Sequence, residues 1–161
     1  MHKQSIDKIK NTFLLTLIGS LFLGCSQSAV SVLEKDPIYA QNLQYTKIEK
    51  IEKNNEVEIL INTTYLNASM KDHFPKGTQN FLVAIYNTND AENNGDLTLN
   101  NQTYLKKAPV EPEDSIYKNI PLINKWAKYY IYTFPVTKED KLILRYDSKK
   151  YGSKNILFKK Y

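Results

Sequence analysis

A chain of 161 residues with 22 Lys and Arg against 17 Asp and Glu has a formal net charge of +5, enough length for one domain with its own core, and only a mild basic excess. Arg145 is the sole arginine, and the lysines are interleaved with acids. Nucleic-acid recognition, which calls for a concentrated basic face and arginine forks, is therefore not expected. One cysteine, Cys25, excludes an internal disulfide, and two histidines, His2 and His73, are too few for an imidazole-rich metal site.

In chain order, the first element is a short basic stretch (Lys3, Lys8 and Lys10 against Asp7), followed by an apolar run from Phe13 to Leu23, then Gly24 and Cys25. This is the anatomy of a secretory signal peptide, and the apolar run is shorter than the ~20 residues a helix needs to cross a bilayer core. The stretch Leu21-Phe22-Leu23-Gly24-Cys25 resembles the lipobox of bacterial lipoproteins. The resemblance implies cleavage before Cys25, acylation of its thiol with palmitate-type chains, and, with Ser26 in the next position, sorting to the outer membrane of a Gram-negative envelope. Residues 1–24 thus read as signal peptide, 25–42 as lipidated cysteine and tether, and 43–161 as the folded domain.

From Gln44 onward, short runs rich in Ile, Val, Thr, Tyr and Phe alternate with Asn, Asp, Gly and Pro clusters, the pattern of strands and turns. Strands are predicted over Tyr45–Lys50 and Val57–Leu66 around an Asn54-Asn55 turn. A third is predicted over Phe81–Tyr86, apolar on both parities as a central strand is. Leu97–Leu99 and Thr103–Leu105 flank Asn100-Asn101, and Ala108–Pro121, with three prolines, reads as a crossover loop. The strongest alternation follows, with Trp126, Lys128, Tyr130, Tyr132 and Phe134 on one parity and Ala127, Tyr129 and Ile131 on the other. It predicts a core strand with Trp126 buried at its head. Leu142–Tyr146 and Asn155–Lys159 complete the set, the latter rich in lysine as suits an edge. The expected fold is all-β, a two-sheet antiparallel sandwich of seven or eight strands.

A lipobox followed by such strands (Val57–Leu66, Phe81–Asn87, Trp126–Pro135) resembles the immunoglobulin-like β-sandwich lipoproteins of epsilon-class proteobacteria. That likeness implies an envelope protein without catalytic residues to carry over, some relatives being linked to adhesion. The first reading is a non-enzymatic, lipid-anchored binding domain, monomeric, with a protein or envelope component as partner, no nucleic acid and no cofactor beyond the lipid on Cys25. The alternatives are a periplasm-facing assembly or chaperone-like factor and a small hydrolase. Candidate binding residues are the aromatics Trp126, Tyr129 and Tyr130, because tyrosine and tryptophan offer area with a polar tip. Asp90, Glu92, Asn94 and Asp96 place oxygen ligands at alternate positions as a calcium loop does, but Asn101 stands where a bidentate Glu closes such a loop. His73, between Asp72 and Pro75, reads as loop filler, and a hydrolytic triad would have to be built on it. Glu111, Glu113 and Asp114, the other pairable carboxylates, sit in the Pro-rich crossover.

Overall fold

The computed structural model describes residues 37–88 and 95–160. A short helix α1 (Pro37–Gln44) leads into nine strands: β1 (Thr46–Lys53), β2 (Glu56–Tyr65), β3 (Thr78–Asn87), β4 (Asp96–Leu99), β5 (Gln102–Thr103), β6 (Lys106–Val110), β7 (Lys128–Pro135), β8 (Lys141–Ser148) and β9 (Gly152–Lys159). A one-turn helix α2 (Leu66–Ser69) and a 3₁₀ turn at Lys71–His73 lie between β2 and β3, and another 3₁₀ turn at Tyr117–Asn119 lies between β6 and β7. All pairings are antiparallel, in a five-stranded sheet of order β1-β2-β3-β7-β6 and a four-stranded sheet of order β5-β4-β8-β9. The all-β, two-sheet expectation holds. One strand, β6, was expected to begin a loop, and α1 occupies the stretch expected to end the tether.

Local chemistry explains the hairpins. Asn54 and Asn55 both take positive φ (53° and 66°), as do Asn100 and Asn101 (46° and 64°), and asparagine tolerates the left-handed region that tight hairpins require. Asn100 does more than turn. Its Oδ1 accepts from the Ile143 N–H at 2.6 Å, and its Nδ2 donates to the Lys141 carbonyl at 3.0 Å and to the Glu139 carboxylate, so the β4–β5 turn is fastened to β8. Gly95, just before β4, is required by packing: a Cβ there would run into the Tyr146 ring.

The inner faces of the two sheets make the main core, from Ile59, Ile61, Tyr65, Phe81, Val83, Tyr132 and Phe134 on one side and Leu97, Leu99, Leu142, Leu144, Tyr146, Ile156 and Phe158 on the other. Phe81 is its aromatic centre. It stacks on Tyr65 with centroids 5.0 Å apart, meets Phe134 edge-on at 6.0 Å and lies 5.3 Å from Phe158. The opposite parity of β3 (Leu82, Ala84) and of β7 (Tyr129) belongs to a second cluster, with Leu66, Val110 and Ile120. The large sheet is therefore covered on both faces at β3, which is its central strand, as the two apolar parities predicted.

Buried tyrosines give this core a pH limit. Burial pushes the Tyr65 and Tyr146 hydroxyls up to about 12, and that of Tyr132 further still. Tyr65 keeps its proton in a 2.5 Å hydrogen bond donated to Gln79 Oε1. In the unfolded chain the same groups ionise near 10, so the stability they contribute is complete below pH 10 and is lost as pH rises from 10 through 12. Urea midpoints are expected to be flat from neutral pH to about 9.5 and to fall steeply beyond it, with the tyrosinate absorbance step coinciding with unfolding. In the same assay Phe81→Ala should cost about 3–5 kcal/mol, and Gly95→Ala should cost more than an ordinary surface substitution because the Tyr146 ring must move.

Candidate docking surface on the crossover strap

Residues 111–127, between β6 and β7, form a strap over the outer face of the large sheet. Its inner side supplies Ile116, Tyr117, Ile120 and Ala127 to the second core cluster. Strand register shows what lies beneath. Ile48, Asn62, Ala84, Tyr129 and Val110 stand opposite one another from edge to edge, forming a row on that outer face. Two members of the row are polar enough to hold the strap. Asn62 Nδ2 donates to the carbonyls of Pro121 (3.2 Å) and Leu122 (3.4 Å), and the Tyr129 hydroxyl accepts from the Asn124 N–H at 2.6 Å. From the other side, α1 reaches over: Asn42 Nδ2 donates to the Asn119 carbonyl at 2.9 Å, and the Tyr39 hydroxyl accepts from the Leu122 N–H at 3.5 Å.

With Ile120 and Pro121 buried and the backbone tied on both flanks, the next residues turn outward. Leu122 takes φ +54°, a left-handed conformation that costs a branched residue about 1–3 kcal/mol, and the residue is 53% exposed. Ile123 is 40% and Trp126 82% exposed, and Ile38 on α1 and Ile48 at the end of the row are exposed as well. Lys118 and Lys125 are exposed on the same segment. The ion pairs among the described residues, Lys50–Glu52, Arg145–Asp147 and Lys154–Glu49, involve neither.

The expectation that Trp126 is buried at the head of a strand is corrected. Asn124 Oδ1 accepts the Trp126 N–H at 3.0 Å and the Asn124 carbonyl accepts the Ala127 N–H at 3.1 Å, so a turn closes over 124–127 and β7 starts only at Lys128. The alternation does not reach back through that turn. Tyr129, grouped with Trp126 as a candidate binding residue, is 4% exposed and is corrected to a core residue, its ring edge-on to Tyr117 at 6.2 Å. Burial raises its hydroxyl pKa, opposed by the Asn124 N–H. Tyr130, half-buried, points to the opposite face, where Lys107 Nζ sits 4.1 Å from its ring centre. The three aromatics therefore do not share a surface.

Cys25, Asp90, Glu92 and Asn94 lie outside the described residues; Asp96 is exposed at the start of β4. His73 is exposed on its 3₁₀ turn, Glu111 and Glu113 are exposed, and Asp114 accepts the Glu111 N–H at 2.8 Å. Among the described residues, no three His, Cys, Asp or Glu side chains come together as a metal-binding group, and no helix is long and apolar enough to cross a membrane. Sequence reasoning missed Leu122 and Ile123. The signal for them is Ile120-Pro121-Leu122-Ile123, four apolar residues that cannot all face inward from one irregular segment. No family model, curated protein or solved structure matches the chain.

Trp126, the sole tryptophan, is expected to emit at a water-like wavelength and to be readily quenched by acrylamide in the folded protein in the absence of membranes. Trp126→Ala should leave stability within about 0.5 kcal/mol, as for other surface positions. Asn62→Ala, which unties the carbonyls of Pro121 and Leu122, should make the strap the first site of limited proteolysis.

Proposed function

We propose that this chain is a non-enzymatic, lipid-anchored protein of the bacterial outer membrane whose sandwich domain presents a binding surface to a protein or envelope component, in a role such as adhesion. Residues 1–24 direct export, and Cys25 carries the lipid. The binding part of this reading rests on one observation: a tryptophan 82% exposed on a strap that is hydrogen-bonded down on both flanks. Exposed aromatic area on an ordered segment loses little conformational entropy on capture, which is why tryptophan and tyrosine dominate binding hot spots. The domain is immunoglobulin-like in its two stacked antiparallel sheets and in the chain's crossings between them. Its β2 and β3 are neighbours in one sheet, whereas in constant-type immunoglobulin domains the second and third strands lie in opposite sheets, so the likeness is one of architecture.

The anchor is tested by labelling cells with radioactive palmitate. The wild-type chain should incorporate label and fractionate with membranes, and Cys25→Ala should do neither. Incorporation by the variant would place the lipid elsewhere and remove the basis for the assignment.

A further inference from the structure

We propose that the partner of the strap is the phospholipid surface itself: Leu122, Ile123 and Trp126 enter the headgroup–acyl boundary, with Lys118 and Lys125 facing anionic headgroups. The proposal rests on the lipid anchor at Cys25. Only eleven residues, 26–36, separate Cys25 from the start of α1. Eleven residues can reach at most about 40 Å, whatever their conformation. α1 is also the element that grips the strap, through Tyr39 on the Leu122 N–H and Asn42 on the Asn119 carbonyl. The chain therefore enters the domain beside the exposed apolar residues, and an anchor on Cys25 holds those residues close to the bilayer at high effective concentration.

The chemistry of the surface fits that occupant. Tryptophan, with an apolar ring and one N–H donor, is the side chain most at home at the membrane–water boundary. Leucine and isoleucine beside it add buried area, and exposed lysines gain from the negative potential of anionic lipids. The acids of the same crossover, Glu111, Glu113 and Asp114, stand at its start, eleven to fifteen residues before Lys125 and Trp126 at its end. Leu122, on a left-handed backbone, leaves about half of its surface open to such a boundary.

Trp126 is its own reporter. Full-length protein, wild type and Cys25→Ala, is mixed with vesicles of phosphatidylethanolamine and phosphatidylglycerol, with and without lipids brominated near the headgroup end of the acyl chain. Trp126 emission should move to the blue on vesicle addition and fall roughly twofold with brominated lipid, as expected for a ring at the interface. Lys125→Glu should weaken the quenching, and more so as the phosphatidylglycerol fraction rises. Leu122→Ser with Ile123→Ser, which keeps the reporter, should also weaken it. Emission that stays water-like on vesicles carrying the lipidated protein overturns the proposal while leaving the anchor standing. Quenching by a wild-type chain that takes up no palmitate supports docking and removes the anchor instead. Emission already blue-shifted without vesicles also overturns the proposal. It would assign the patch to a second copy if the shift grows with protein concentration, and to the chain's own apolar N-terminal run if it does not.

Discussion

The rest of this fold depends on β3 being apolar on both of its faces. Phe81 and Val83 point into the gap between the sheets, and Leu82 and Ala84 point the other way. A sandwich needs only the first set. The second leaves a water-facing apolar strip in the middle of a five-stranded sheet, and burying such a strip at about 25 cal/mol per Å² is too large a term to leave unsatisfied. The chain meets it with its connections: α2 and the turn after it on one side, the long β6–β7 crossover on the other. The connections of this domain are structural layers as well as links.

That requirement explains why the crossover is ordered where a Pro-rich loop ordinarily is not. A segment laid over a sheet brings backbone N–H and carbonyl groups that need partners away from water. Asn62 and Tyr129, embedded in the covered row, supply some, and α1 supplies others from the flank. Once the backbone between Asn119 and Asn124 is fixed this way, its side chains have two directions available. Ile120 and Pro121 take the inward one, and Leu122 and Ile123, with Trp126 just beyond, are left outside. The exposed apolar group is thus a direct consequence of how the sheet is sealed, and its rigidity is inherited from the same hydrogen bonds.

Much of the architecture was legible in the sequence because period-two alternation and Asn-Asn turns are local signals. Both Asn-Asn pairs make the turns expected of them, in the left-handed conformation, and the lysine-bearing last strand is at a sheet edge. β6 was not legible, since Lys106-Lys107-Ala108-Pro109-Val110 carries no strand signal of its own and exists through its pairing with β7, where Pro109 is tolerated because the strand is an edge. α1 escaped for a similar reason: it has no apolar stripe, and its side chains find partners more than seventy residues away. The candidate site was half visible. Trp126 stood out by type, but its parity with Tyr130 and Tyr132 pointed inward, and only the turn closed by Asn124, itself a good turn residue, reverses that conclusion.

The separation of the two apolar clusters sets a hierarchy of opening. The main core is sealed by both sheets, whereas the second is sealed on its outer side by the connections. Lifting the strap exposes Leu82, Ala84 and Tyr129 but leaves the Phe81 cluster closed. The strap can therefore detach and reseat as a unit while the sandwich stays folded, at a free energy below that of global unfolding. Amide hydrogens of the strap should then exchange through this partial opening, and those of β3 and β7 only through complete unfolding. The surface most available to the outside is in this way also the one the molecule can reshape without unfolding.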